Sequence, residues 1–130
     1  MSNQTRKIAC MTATRADYPR VKSVLREINC RPNLELSLLV TGMHLLKEFG
    51  YTVDEIKNDK FQIYKEIDIY SEDDSPYGMA KAAAKCSDGI ADALNEIQPD
   101  IFLITVDRIE TLATAQTVAF MNIPMAHIQG

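Results

Sequence analysis

The feature that most constrains the fold of this chain is the regular alternation of short apolar runs with longer segments whose apolar residues recur at helical spacing. A short apolar run bounded by polar or turn-forming residues is typical of a buried strand. Such runs occur at 7–13, 34–40, 101–106 and 124–128, and the segment 62–69 has the alternating pattern of a half-exposed strand. The sequence therefore predicts five strands, each separated from the next by helical sequence.

Four segments between these runs carry the helical pattern. In the first of them, 18–30, Val21, Leu25 and Ile28 fall on one face and charged residues on the other. Asp17 is placed to be the N-cap of this helix, and Pro19 is tolerated in a first turn. The other predicted helices are 45–59, with an interruption near Gly50, then 76–97 and 109–121.

Strands that alternate with helices form a parallel sheet covered by helices on both faces. At 130 residues the chain has the usual size of one domain, so we predict a single α/β domain over residues 1–130, a Rossmann-like three-layer sandwich. The run 62–69 alternates polar and apolar residues, which predicts a strand at the edge of the sheet. The sequence stops at Gly130 directly after a strand with no covering helix, so we expect a truncated domain.

Charge and composition exclude several classes of function. The net charge is −4, with 14 basic and 18 acidic residues, and the chain has no basic stripe for a nucleic acid partner. No apolar run approaches the ~18 residues of a membrane span, and the start is too polar for a signal peptide, so we expect a cytoplasmic protein with no membrane partner. The three cysteines have no spacing that suits a metal site or a redox pair.

Polar residues cluster at one rim of the predicted sheet. In the common strand order 3-2-1-4-5, the connections after the first and fourth strands leave in opposite directions, and ligands bind at the carboxyl ends of the strands there. Two arginines beside two helix amino-termini suit a phosphorylated ligand, whereas GxGxxG and the Walker lysine are absent. The residues predicted at this rim are Arg15, His44, Asp107, Arg108, Glu110, His127 and Gln129.

Several of these residues also have purely structural interpretations. Asp107 and Glu110 have the spacing of an N-cap and its third residue, so they could form a capping box that starts a helix. His44 and His127 could be structural histidines, and Arg108 could be a solvated charge. The spacing of the residues leaves these alternatives open.

Four blocks of sequence resemble the hydrolysing UDP-N-acetylglucosamine 2-epimerases. Residues 12–18, TATRADY, resemble the TGTRADY opening of that family, and 39–45, LVTGMHL, resemble its VTGMHL block. Residues 106–113, VDRIETLA, are similar to GDRxExLA, and 122–130, NIPMAHIQG, are similar to NIPxAHIxGGE. The blocks follow the family order and span nearly the whole chain.

The resemblance implies the amino-terminal Rossmann-like half of a two-domain glycosyltransferase-B-type fold, with the substrate in the cleft beside a missing carboxyl-terminal domain. In this family UDP-N-acetylglucosamine loses UDP through a 2-acetamidoglucal intermediate. Water then adds to give N-acetylmannosamine for sialic acid synthesis. The resemblance implies a homo-oligomer in the full-length enzyme and no metal or redox cofactor.

The resemblance also implies roles for the rim residues. Asp107 matches a catalytic carboxylate, and Arg15 and Arg108 would stabilise the departing UDP. His44, Glu110 and His127 would contact the substrate. Gln129 occupies a position that many members fill with a catalytic glutamate, but an amide is neither an acid nor a base at neutral pH.

The chain departs from the family pattern where Val106 replaces the glycine of GDR, and Pro19 replaces a small polar residue of several members. These departures and Gln129 keep a second class of function open, a non-catalytic remnant that binds a nucleotide sugar. Within the same chemistry, the alternative is UDP-N,N'-diacetylbacillosamine 2-epimerase of legionaminic acid synthesis. We expect no epimerase activity from this chain alone.

Overall fold

The computed structural model describes residues 4–47, 50, 52–105 and 108–128, and these form one parallel sheet with helices on both faces. The strands are β1 (Arg6–Thr12), β2 (Leu34–Thr41), β3 (Ile63–Ile67), β4 (Ile101–Thr105) and β5 (Met125–Ile128). The helices are α1 (Tyr18–Cys30), α2 (Val53–Asn58), α3 (Pro76–Ile97) and α4 (Ile109–Phe120), with a short 3-10 helix at Gly42–Leu45.

The sheet has the strand order β3-β2-β1-β4-β5, so the predicted α/β fold and its strand order are confirmed. β1 lies at the centre, where Ile8 pairs with Leu36 of β2 on one side and with Ile101 of β4 on the other. The connections after β1 and β4 therefore leave in opposite directions, which opens a crevice at the carboxyl ends of the strands.

Each central strand contributes side chains to two separate cores because successive residues point to opposite faces of a sheet. In β1, Met11 packs in the core beneath α3 and α4, whereas Cys10 packs in the core beneath α1 and α2. Burial, with a further contribution from the Asp17 charge, raises the pKa of the Cys10 thiol to about 12. Cys10 is therefore a packing residue, as the apolar run predicts.

The edge strand β3 contains an irregularity that lets it contact both cores. Leu38 of β2 pairs with Ile63, but the next residue, Leu39, pairs with Lys65, so Tyr64 is an extra residue in β3. Ile63 consequently packs against the core beneath α1, whereas Ile67 joins the core beneath α3. The predicted edge position is confirmed, and the strand is shorter than the predicted 62–69.

The helix predicted at 45–59, with an interruption near Gly50, is confirmed only after the interruption, where the short helix α2 begins at Val53. Before Gly50 the prediction is wrong, because the described chain after β2 forms the 3-10 helix Gly42–Leu45. Gly42 and Gly50 have φ angles of +64° and +85°, in the left-handed region that interrupts a right-handed helix.

At Glu110, the suggested capping box with Asp107 does not fit the start of α4, and Asp107 itself lies outside the described residues. The N-cap position of α4 falls on Arg108, one residue later than the spacing indicates. The backbone N–H of Arg108 donates to Oγ1 of Thr111 at 3.3 Å, so Thr111 and not Glu110 closes the first turn. Glu110 therefore takes no part in closing the first turn of α4. Across the described ranges, no helix is both long enough and apolar enough to cross a membrane.

Candidate functional site

The loops at the carboxyl ends of the parallel strands meet at one edge of the sheet. This edge runs across the ends of the strands and is distinct from the edge strands β3 and β5. The loop after β1 contacts the 3-10 helix after β2, where the backbone N–H of His44 donates to the carbonyl of Ala13 at 3.2 Å. The segment after β3 reaches α4, because the hydroxyl of Tyr70 donates to Oε1 of Glu110 at 2.5 Å. This edge is the crevice in which the strand order predicts a ligand.

A buried carboxylate, Asp17, fixes the loop after β1. Its side chain is almost fully buried and accepts hydrogen bonds from the hydroxyl of Thr12 and from the backbone N–H groups of Ala13 and Thr14. Burial raises the pKa of Asp17, but the hydrogen bonds and nearby His44 outweigh this effect, and the net pKa is lower than usual. Asp17 occupies the predicted N-cap position of α1 but forms no side-chain cap there.

His44 continues the same network and exposes none of its surface. Its Nε2 lies 2.9 Å from Oγ1 of Thr12, and its Nδ1 lies 2.7 Å from Oγ1 of Thr52. Because Thr12 gives its single hydroxyl proton to the Asp17 carboxylate, His44 Nε2 must carry the proton donated to Thr12. These contacts fit the structural interpretation of His44, and its contact with a substrate stays a prediction.

Glu110 is a second buried carboxylate at this edge, and it too exposes none of its surface. Its Oε1 accepts from Tyr70, and its Oε2 lies 3.4 Å from Nε of Arg108. Oε2 has no hydrogen-bond partner among the described residues, and neither does Oγ1 of Thr105. A Cβ on Gly42 would lie 2.8 Å from Oε1 of Glu110, so the backbone packs directly on this carboxylate.

Arg108 lies at the point where this edge opens to solvent. Its guanidinium Nη2 contacts Sδ of Met43 at 3.7 Å, and its side chain remains 36% exposed. Arg108 is the N-cap residue of α4, where the helix dipole favours an anion. A guanidinium at a helix amino-terminus is suited to bind a phosphate or diphosphate group.

Two adjoining grooves at this edge share Leu46, Tyr70, Ser71 and Asp74. The larger has a volume of about 530 Å³, and the smaller, of about 290 Å³, also includes Arg108. We call them together the rim groove. A separate groove of about 690 Å³ runs along α4 and β5, and it is lined by Arg108, His127 and mostly apolar side chains.

The structure brings some of the predicted site residues together and places others apart. Arg108 and Glu110 are in contact, and Arg108 and His127 line one groove. Arg15 is exposed in the loop after β1. Asp107, Gln129 and Val106 lie outside the described residues, so their predicted roles stay predictions.

Sequence reasoning missed Tyr70, which lines the rim groove and bonds the buried carboxylate. A signal was present, because Tyr70 follows the predicted edge strand at the same rim as the other candidates. Thr12 and Thr52 were missed as partners of His44, since nothing in their spacing indicates a shared contact. Among the described residues, no group of three or more His, Cys, Asp or Glu side chains could hold a metal ion.

Comparison with known proteins matches residues 26–130 to the family described as UDP-N-acetylglucosamine 2-epimerase. A UDP-N,N'-diacetylbacillosamine 2-epimerase (hydrolyzing) of Legionella pneumophila is 38% identical over 125 residues, which cover 96% of this chain and 33% of that protein. A UDP-N-acetylglucosamine 2-epimerase of Neisseria meningitidis is 34% identical, with coverage of 96% and 32%. The chain thus spans about a third of the length of these curated relatives.

Solved structures show the same fold. A UDP-GlcNAc 2-epimerase from Neisseria meningitidis, crystallised with UDP-GlcNAc, superposes with a TM-score of 0.81 at 18% identity, over 95% of this chain and 32% of that one. A UDP-GlcNAc 2-epimerase from Methanocaldococcus jannaschii, in complex with UDP-GlcNAc and UDP, gives a TM-score of 0.79 at 17% identity, with coverage of 95% and 32%. These likenesses confirm the predicted Rossmann-like fold of the glycosyltransferase-B type.

The buried Asp17 carboxylate predicts how stability depends on pH. Because the pKa of Asp17 is lower in the folded chain, its contribution to stability is full above the ordinary aspartate pKa and is lost as pH falls through the folded value. We expect Asp17→Asn to lower the free energy of unfolding by about 2 kcal/mol at pH 7 and by less in acid. Urea unfolding at pH 7 and at two pH values below the ordinary aspartate pKa measures this, with exposed Asp92→Asn as control. A deficit independent of pH would contradict it.

The two left-handed glycines form a matched pair for testing the packing on Glu110. Ala at Gly42 would strain the backbone and also approach the Glu110 carboxylate and the Ala13 carbonyl within 3 Å. Ala at Gly50 would strain the backbone, and among the described residues its Cβ would meet only a methyl group of Thr52, at 4.0 Å. We expect losses of about 3 kcal/mol for Gly42→Ala and about 1 kcal/mol for Gly50→Ala in urea unfolding. Equal losses of stability in the two variants would show that the backbone at Gly42 moves away from Glu110 at no cost.

Proposed function

Because this chain belongs to the UDP-N-acetylglucosamine 2-epimerase family, we propose that it forms one wall of the active site of a hydrolysing sugar-nucleotide 2-epimerase. The observation that carries the proposal is the position of Arg108, at the amino-terminus of α4 and on the wall of the rim groove. This guanidinium would receive the diphosphate of a UDP-sugar. The rest of the site would come from the part of the relatives that this chain does not cover, a carboxyl-terminal domain.

On this proposal the chain stabilises charge as the bond between C1 of the sugar and the phosphate oxygen breaks. Negative charge grows on the departing UDP, and Arg108 with Arg15 offsets it. Asp107 removes the proton from C2, which gives the 2-acetamidoglucal, or stabilises the cationic sugar before that step. Water then adds to the glucal to give the 2-epimer. Gln129 would hold a hydroxyl by hydrogen bonds, and His44 and His127 complete the proposed contacts.

The proposed substrate is UDP-N-acetylglucosamine, hydrolysed to UDP and N-acetylmannosamine for sialic acid synthesis. A specific observation favours a second substrate, UDP-N,N'-diacetylbacillosamine. The Legionella pneumophila relative named for that sugar is 38% identical, and a Campylobacter jejuni relative named for its GDP- or UDP-linked form is 34% identical. Both reactions break the same bond and use the same wall. We propose a cytoplasmic, homo-oligomeric enzyme that needs no metal or redox cofactor.

Calorimetric titration of the 130-residue chain with UDP tests the phosphate role of Arg108. We expect binding that weakens about tenfold in Arg108→Ala, since a charge-assisted hydrogen bond is lost. Arg31→Ala is the matched control, because Arg31 is exposed beside the start of β2, at the opposite edge of the sheet. Unchanged affinity in Arg108→Ala would refute the proposal. Without the rest of the site the chain should release no N-acetylmannosamine. Binding of neither UDP nor a UDP-sugar would contradict a nucleotide-sugar site on this chain.

The proposed role of Asp107 is testable in a polypeptide that joins this chain to the carboxyl-terminal two thirds of the Legionella pneumophila relative. We expect Asp107→Asn to lower turnover of both candidate UDP-sugars by roughly 10²-fold or more, because a proton-transfer group or cation stabiliser is lost. Affinity for UDP should stay within about twofold, since the leaving group contacts the arginines. Retained turnover would contradict a catalytic role.

A further inference from the structure

Glu110 is a buried ionisable group to which the family chemistry gives no step. It lies in the first turn of α4 and exposes none of its surface. Burial of a carboxylate is costly unless other groups compensate its charge. The described groups that compensate it are a hydroxyl, Tyr70, and a guanidinium, Arg108. A charge kept at such a cost needs an explanation beyond packing.

The two oxygens of Glu110 serve two different partners. Oε1 accepts the hydroxyl proton of Tyr70 and lies close to the backbone at Gly42, where an added Cβ would approach it to 2.8 Å. Oε2 faces Nε of Arg108 at 3.4 Å and makes no hydrogen bond with the described residues. One buried anion therefore connects a residue after β3 with the N-cap of α4.

Both partners, unlike Glu110 itself, line the rim groove. We propose that Glu110 is a positioning residue, whose buried carboxylate holds the Arg108 guanidinium and the Tyr70 hydroxyl in place on the wall of the rim groove. The inference rests on the proposed function, since it assigns the purpose of this arrangement to diphosphate binding. It replaces direct contact between Glu110 and substrate with action through two neighbours.

The arrangement determines what each neighbour can offer a ligand. Nε of Arg108 lies 3.4 Å from Oε2 of Glu110, and the terminal guanidinium nitrogens are the groups that would donate to a diphosphate. The Tyr70 hydroxyl gives its proton to Glu110, and Tyr70 also interacts with Arg108, so the three side chains form one cluster. Burial and the neighbouring carboxylate raise the pKa of Tyr70 to about 12, which keeps this proton in place at neutral pH. The groove thus presents guanidinium donors for the anion, with the Tyr70 side chain beside them.

The test compares Glu110→Gln with the parent chain by nuclear magnetic resonance of the arginine Nε–H groups, without any ligand. Gln keeps the shape of the side chain but removes its charge. We expect the order parameter of the Arg108 Nε–H group to fall in Glu110→Gln. The order parameter of Arg31, which pairs with exposed Glu27, should stay the same. The matched control Glu27→Gln should change only Arg31. An unchanged Arg108 signal in Glu110→Gln would overturn the proposal.

Titration with UDP then separates positioning from packing. Glu110→Gln should weaken the binding of UDP about tenfold in the parent chain. In the Arg108→Ala background it should have no further effect on binding, because both substitutions act through the same guanidinium. Equal weakening in both backgrounds would overturn the proposal. If Arg108→Ala leaves UDP affinity unchanged, the proposed function fails, while the ligand-free resonance result still decides whether Glu110 orders Arg108.

A second variant keeps the proposal testable if Glu110→Gln does not fold. Tyr70→Phe preserves the charge of Glu110 and removes one of its two partners, and the half-exposed ring tolerates the loss of its hydroxyl. We expect Arg108 to keep its order in Tyr70→Phe, because the carboxylate still faces its Nε. Loss of order there would show that the hydroxyl holds the guanidinium, and it would overturn the role assigned to Glu110.

Discussion

The structure depends on the parallel pairing of β1 with β2 on one side and β4 on the other. This pairing sends the loops after β1 and β4 apart and creates the crevice in which the rim groove lies. Two buried carboxylates keep the crevice in shape. Asp17 fixes the loop after β1 from within, and Glu110 joins the segment after β3 to the start of α4. The sheet provides the location of the site, and the carboxylates provide its rigidity.

Most of the fold was predictable because it follows from periodicity. The bounds of α1 and α3 agree with the helical pattern. Each helix has a proline in its first turn, and each ends two residues before another proline. The prediction of the strand order rests on the common doubly wound topology, and only the edge position of 62–69 follows from its mixed polar and apolar character. After β2 the interruption near Gly50 and the helix that follows it were predictable, but the 3-10 helix was not, because Leu45 and Leu46 continue the helical spacing while Gly42 takes a left-handed φ.

The candidate site was predictable in location but only partly in its internal contacts. Strand ends and helix starts can be found by counting along the chain, so Arg108 and its position at the rim were within reach. The burial of Glu110 was not, because an acidic residue in a first helical turn is ordinarily a solvated end of the helix. Its role depends on Tyr70, which is 40 residues away and reaches it only through the tertiary structure. Charge buried by long-range contacts leaves no local pattern.

The extra residue in β3 has a consequence for how this protein behaves among other chains. A regular edge strand offers an evenly spaced row of backbone donors and acceptors to any strand that approaches. In β3 the irregularity at Tyr64 breaks that row, and Lys65 and Glu66 put charge beside it. The same bulge that lets Ile63 and Ile67 reach opposite cores therefore makes the β3 edge a poor template for growth of the sheet. Addition of a foreign strand is disfavoured at this edge of the sheet.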